Sequence, residues 1–170
     1  MRYDPTVHHR RSIRLPEYDY STPGAYFVTI CTQDRQCLFG DITDDAMRPN
    51  EAGRMVEAWW RELTSKFPTT SADAHILMPN HVHGIVAIER EDGAPLGAMV
   101  QWFKTMTTNA YIQGVRQDGW APFPGRLWQR NYFERIVRDD DELFETREYI
   151  ASNPVNWEHD EDNPALVRRA

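Results

Sequence analysis

Cysteine is scarce. The 170 residues hold only Cys31 and Cys37, six apart around an expected strand end. No disulfide framework can be built from them, and no CxxC pair offers a zinc site. Both are expected to be reduced, one thiol in the core and one in a loop. Long hydrophobic runs are missing too: no apolar stretch approaches the ~20 residues of a membrane-spanning helix. The opening residues Met1-Arg2-Tyr3-Asp4-Pro5 lead into His8-His9-Arg10-Arg11 without an apolar signal core. A cytoplasmic protein is the expectation. There is no internal repeat and no low-complexity segment. What is present suits one soluble domain: 41% hydrophobic and 26% charged residues, which exclude wholesale disorder and collagen-like structure. A chain of this length buries roughly 70% of its unfolded surface and needs no covalent staple to fold.

A positive net charge is also lacking. The formal charge is −7, which at first argues against a nucleic-acid partner. Its distribution argues the other way. Between Pro95 and Arg138 six basic residues stand against Asp118 and Glu134, a local net of +4. Arg2, Arg10, Arg11 and Arg14 enrich the N-terminus. Acid collects at Asp139–Glu142 and Glu158–Asp162. Such asymmetry says more about partners than the total does, although solvated faces would carry the same pattern.

Residues 1–25 read as an extended arm punctuated by Pro5, Pro16 and Pro23-Gly24. Tyr26 to Thr32 is β-rich and reads as a first strand. A turn-rich stretch follows at Gly40-Asp41, Asp44-Asp45 and Pro49-Asn50. Asn50 can cap a helix with Glu51 in its first turn. Ala52, Val56, Trp59, Trp60 and Leu63 recur at helical spacing until Pro68. Ala74–Met78 and His81–Ile88 predict two further strands, broken by Pro79-Asn80. Leu96, Met99, Val100, Phe103, Met106 and Thr107 mark a second helix ending near Gly114. Leu127–Val137 predicts a fourth strand. A third helix starts at Asp139-Asp140, carries Leu143, Arg147 and Ile150 on one face, and ends at Pro154. The order β-α-β-β-α-β predicts an α+β, ferredoxin-like antiparallel sheet, with the third helix added over or beside it. Residues 158–170 form an acidic tail, expected to be poorly ordered.

Two constellations carry chemistry. His81 and His83 are i and i+2 on a strand, so both imidazoles project from one face, as two ligands of one metal ion must. Gly84 permits close approach of a ligand or a helix. His75, on the neighbouring strand, is expected to be structural. Tyr149 and Asn153 are i and i+4 and share a helix face. A phenol is a candidate nucleophile, and an amide oxygen suits a hard divalent ion such as Mg2+ or Mn2+. Taken alone, Tyr149 is more often a packing residue, Asn153 a C-terminal helix residue before proline, and the two histidines partly buried or surface residues. Tyr132 and Tyr111 lie among apolar neighbours and are expected to pack.

At this point a resemblance becomes legible. Met78-Pro79-Asn80-His81-Val82-His83-Gly84 resembles the HUH signature (histidine, hydrophobic, histidine) of single-tyrosine transposases, in the branch of REP-associated tyrosine transposases. Ala25–Thr32 is similar to that family's first strand. Trp128-Gln129-Arg130-Asn131-Tyr132-Phe133-Glu134-Arg135 with Val137-Arg138 is similar to the strand before its catalytic helix. Glu148-Tyr149-Ile150 with Asn153-Pro154 is similar to the end of that helix. The match runs from about Arg11 to Trp157.

The resemblance implies a catalytic domain over residues 26–157. His81 and His83 would be metal ligands, Asn153 the third ligand and Tyr149 the nucleophile. The implied chemistry is nicking and rejoining of single-stranded or hairpin DNA through a 5′-phosphotyrosine, with a divalent metal (Mg2+ or Mn2+) and without ATP; no glycine-rich phosphate loop is present. Arg10, Arg11, Arg14, Lys104, Arg126, Trp128 and Arg130 are the expected DNA contacts, with Trp102, Trp120 and Phe123 as further stacking platforms. The same residues also fit a non-cleaving protein that binds and regulates repeat DNA, or a hydrolase that uses water. Monomer and homodimer both remain open.

Overall fold

The computed structural model describes residues 22–167. Its main sheet has four strands: β1 (Gly24–Cys31), β4 (Thr70–Met78), β5 (His81–Ile88) and β6 (Phe133–Val137). Between β1 and α1 (Glu51–Lys66) lies a small hairpin of β2 (Gly40–Thr43) and β3 (Ala46–Pro49). Helix α2 (Leu96–Gln117) joins β5 to β6, and α3 (Asp140–Ser152) follows β6. A 3-10 turn, Trp157–His159, and the short α4 (Pro164–Val167) complete the described residues.

The sheet order is β4-β5-β1-β6, and every neighbouring pair is antiparallel. Each crossover helix therefore links two strands that have a third between them, which is the ferredoxin-like arrangement expected from the order of elements. Alternation along the strands makes two layers of core. Tyr26, Val28 and Ile30 of β1 and Val82 and Val86 of β5 face α1 and α2, where Val56, Trp60, Leu63 and Phe103 pack on them. Phe27 of β1 and Ile85 of β5 face the other way and meet Ile150 and Leu143 of α3. The third helix thus covers the sheet face that α1 and α2 leave open.

Gly84 serves the first layer. A Cβ there would collide with the Trp60 ring, so the absent side chain admits α1 rather than a ligand. His75 stacks on the same indole, at 5.9 Å between ring centroids, and is structural as expected.

Three expectations are corrected. The turn-rich stretch at residues 40–49 is a hairpin, closed by Asp44 and Asp45 at φ 51° and 57°, the left-handed geometry of a two-residue turn. The fourth strand is shorter than Leu127–Val137. Trp128 bridges only Thr32; its Nε1 donates to Thr107 Oγ1, and Lys104 Nζ takes the carbonyls of Gln129 and Arg130. Contacts to α2, with backbone bonds from Gln33 N to the Leu127 carbonyl and from Gln129 N to the Cys31 carbonyl (both 2.9 Å), hold this stretch beside the end of β1 in place of a continuous ladder. Residues 158–167, expected to be poorly ordered, are folded back on the domain, with Asp162 and Asn163 buried. Among the described residues no helix is long and apolar enough to cross a membrane.

Candidate active site

The Pro79-Asn80 turn delivers His81 as the first residue of β5, opposite Cys31 of β1 and Met78 of β4. His81 and His83 project onto the α3 face of the sheet. Both are buried, and their Nε2 atoms lie 3.0 Å apart. The orientation of His81 follows from Asn80. The Asn80 Nδ2 donates to the carbonyls of Arg35 (2.9 Å) and Asp162 (2.7 Å). Carbonyls only accept, so the amide can sit only one way round, and its Oδ1 accepts from His81 Nδ1 at 2.7 Å. His81 Nε2 is thereby turned toward His83 Nε2. His83 Nδ1 meets Thr29 Oγ1 at 2.8 Å. Burial, and then the neighbouring His81, push the His83 imidazole down to about 3. It is neutral at physiological pH, the state in which imidazole ligates metal.

Tyr149 stands beside this pair. It projects from α3, 51% exposed, with its ring 5.4 Å from that of His83 and 5.9 Å from that of Phe27. One turn later, the buried Asn153 donates from Nδ2 to the Tyr149 carbonyl at 2.7 Å, and its amide lies near enough to the His83 and Tyr149 side chains to bias their titration. Burial raises the Tyr149 phenol above its usual range. Asp160 adds to that, while the bond from Asn153 opposes it. The phenol is therefore protonated at neutral pH.

Helix α3 is placed by its sequence. The Asp139 carboxylate accepts from Glu142 N at 2.8 Å, and Glu142 Oε2 accepts from Arg138 N at 2.9 Å. Acidic residues fill the first turn, as the helix dipole favours. Arg147 makes a two-pronged ion pair with Asp73 on β4 (2.8 and 2.6 Å), and Arg135 on β6 donates to Thr146 Oγ1 at 3.0 Å. The helix is thus tied to both edges of the sheet.

The donor set fits a divalent ion. Ligands at right angles on an ion with ~2.1 Å bonds stand ~3.0 Å apart, the spacing of the two Nε2 atoms. His81, His83 and Asp160 present donor atoms all within 4.8 Å of one another, and this His-His-Asp group could hold a metal ion. The acidic run at residues 158–162 reads in the sequence as a solvated tail, so Asp160 had no signal of its own. Only the fold brings it here.

The expected site residues His81, His83, Tyr149 and Asn153 come together. The expected DNA contacts do not form one set. Arg126 and Arg130 are exposed on the loop before β6. Lys104 is committed to two carbonyls and lies 5.4 Å from the Tyr132 ring centroid; burial lowers it to about 8. Trp128 is only 4% exposed and packs on Phe39 and Phe103, so it offers no face to a base. Trp102 packs on Trp59 and Phe67, while Trp120 and Phe123 pack on Tyr111. Arg10, Arg11 and Arg14 lie outside the described residues.

A ferredoxin-like sheet with paired imidazoles on one face, and a single tyrosine facing them from a helix, is the arrangement that the resemblance read in the sequence leads one to expect. The chain is 34% identical to an uncharacterised protein of Haemophilus influenzae, over 94% of this chain and 96% of that one. It is 26% identical to a second protein of the same organism, over 81% of this chain and 73% of the other, whose name assigns it provisionally to the REP-associated tyrosine transposases. A solved REP-associated tyrosine transposase bound to a REP hairpin has the same fold, with a TM-score of 0.61 at 19% identity, over 84% of this chain and 73% of its own. No family model matches. The chain is thus similar in sequence to a protein named as a REP-associated tyrosine transposase, and in fold to a solved one.

Proposed function

We propose that this protein cuts and rejoins single-stranded DNA folded into a hairpin, with Tyr149 as the nucleophile. The observation that carries the reading is the Tyr149 ring seated against His83, whose Nε2 lies 3.0 Å from that of His81. A phenol and a cation-binding pair then address one phosphate. A solved relative is bound to a REP hairpin, which supports the same class of ligand here.

In the forward step, Tyr149 Oη attacks the scissile phosphorus in line. The bond to the 3′ oxygen breaks, a 3′-hydroxyl leaves, and a 5′-phosphotyrosine remains. The phosphodiester is conserved, so another 3′-hydroxyl can attack the phosphotyrosine and join a new strand without ATP. His81, His83 and Asn153 would hold a divalent ion, Mg2+ or Mn2+, whose charge would offset that of the phosphate's non-bridging oxygens. Asn80 and Thr29 hold the two imidazoles in place for it. Asn153 fixes the helix end that carries Tyr149, and Phe27 supports the phenol ring. Arg126 and Arg130 offer exposed charges to the DNA backbone. The reading places the protein in the cytoplasm, with its DNA.

The test is a nicking assay on labelled hairpin DNA with Mn2+. Wild-type protein yields a denaturant-stable DNA adduct. Tyr149→Phe loses the adduct and at least ~10^3 of the cleavage rate while still binding the hairpin. Cleavage that survives the substitution indicates a water nucleophile and overturns the reading. Binding by wild-type protein with no cleavage indicates a purely regulatory DNA-binding protein.

A further inference from the structure

We propose that Asp160 is an additional, carboxylate ligand of the metal, and that the ion thereby fastens the C-terminal segment to the sheet. The inference rests on the metal-site reading above but not on strand cleavage.

The segment is anchored independently of any ion. The Asp162 carbonyl accepts from the buried Asn80 amide at 2.7 Å. Asp162 Oδ1 accepts from Arg35 Nε at 3.0 Å, and Asn163 Nδ2 donates to the Trp157 carbonyl at 2.9 Å. The Trp157 ring lies 6.1 Å from that of His81. These contacts set where Asp160 can reach.

The two carboxylate oxygens of Asp160 are in different situations. Oδ1 accepts from Asp162 N at 2.8 Å and closes the local turn. Oδ2 lies 3.8 Å from His81 Nε2. That separation is too long for a hydrogen bond. It falls between the ~3.0 Å and ~4.2 Å that adjacent and opposite ligands show on an ion with ~2.1 Å bonds. His81 Nε2 lies 3.0 Å from His83 Nε2 and 3.8 Å from this carboxylate oxygen, and the donor atoms of the three residues all lie within 4.8 Å of one another. The site therefore holds a negative charge in addition to two imidazoles and an amide, and the charge comes from a segment remote in sequence from all three.

The coupling is reciprocal. Whatever the segment adds to metal affinity, the metal must add to docking of the segment.

The test uses full-length protein stripped with EDTA, without DNA, and Mn2+ as the probe. Mn2+ affinity is measured by calorimetry or by the loss of the free-ion electron-spin resonance signal. Asp160→Asn keeps an oxygen for the Asp162 turn but loses the charge, and binds Mn2+ at least ~10-fold more weakly. Glu161→Gln removes the same charge from an exposed neighbour and changes affinity less than ~3-fold. Amide exchange gives a second readout: Mn2+ slows exchange at residues 157–163 of the wild type but not of Asp160→Asn. Equal losses in the two variants mean a through-space field and overturn the proposal. So do unchanged affinity in Asp160→Asn, exchange at residues 157–163 that ignores Mn2+, and a wild type that does not bind Mn2+. A wild type that binds Mn2+ in this way yet leaves hairpin DNA intact removes the cleavage reading and leaves this one standing.

Discussion

Asn80 is the residue on which three parts of the site meet. Its amide nitrogen joins the Arg35 turn to the C-terminal segment, and its oxygen sets the tautomer of His81. A buried amide with every hydrogen bond made rigidifies its surroundings, and one left unsatisfied costs stability. His83 shows the electrostatic side of the same burial. Burial holds its folded-state pKa at about 3, well below the ordinary histidine value of ~6.5. Between those values the unfolded chain binds more protons than the native one, so stability falls as pH drops through that window and is complete above it. The burial of His75 lowers its pKa as well and adds the same sign. The EDTA-treated protein is therefore expected to unfold at lower urea concentration at pH 5 than at pH 7.5, with a smaller difference in His83→Asn. An equal or higher midpoint at pH 5 contradicts neutral burial.

At the scale of elements, α3 decides whether the nucleophile faces the histidines. It begins at a cap, Asp139 to Glu142 N, and crosses a face already made apolar by Phe27 and Ile85. Asp139→Ala is expected to cost ~1 kcal/mol of stability, as lost caps do. It should also lower the nicking rate more than the hairpin affinity, since the phenol sits on this helix. A stability change near zero in urea unfolding would show that the side-chain cap is not what starts the helix. Strand β6 illustrates the opposite case. Its aromatic run reads as eleven residues of strand, and only Phe133–Val137 pair. Side chains of α2 take the earlier polar groups. Local β-propensity did not reveal that competition, because the competitor lies about 25 residues earlier in the chain.

For the whole molecule, the sheet divides the labour. One face carries α1, α2 and the main core, while the other carries the site under α3 and the C-terminal segment. The net charge of −7 does not describe that arrangement, because acid and base occupy different parts of the chain. Hairpin binding should weaken as salt rises, with a slope near −0.7 for each single-strand phosphate neutralised. Arg126→Ala and Arg130→Ala are each expected to flatten the slope of log affinity against log salt by ~0.7. A slope unchanged by both would place the DNA elsewhere.

The order of elements, the two-histidine strand and the tyrosine-asparagine helix face were all legible in the sequence, since they depend on strand alternation and helical spacing alone. The ferredoxin-like topology followed from that order. The burial of Trp128, the capture of Lys104 by carbonyls, the paired hairpin at residues 40–49 and the return of Asp160 to His81 were settled by tertiary structure. Each depends on which distant groups compete for a hydrogen bond, a ring face or a charge, and local periodicity carries no record of partners that the chain meets only once folded.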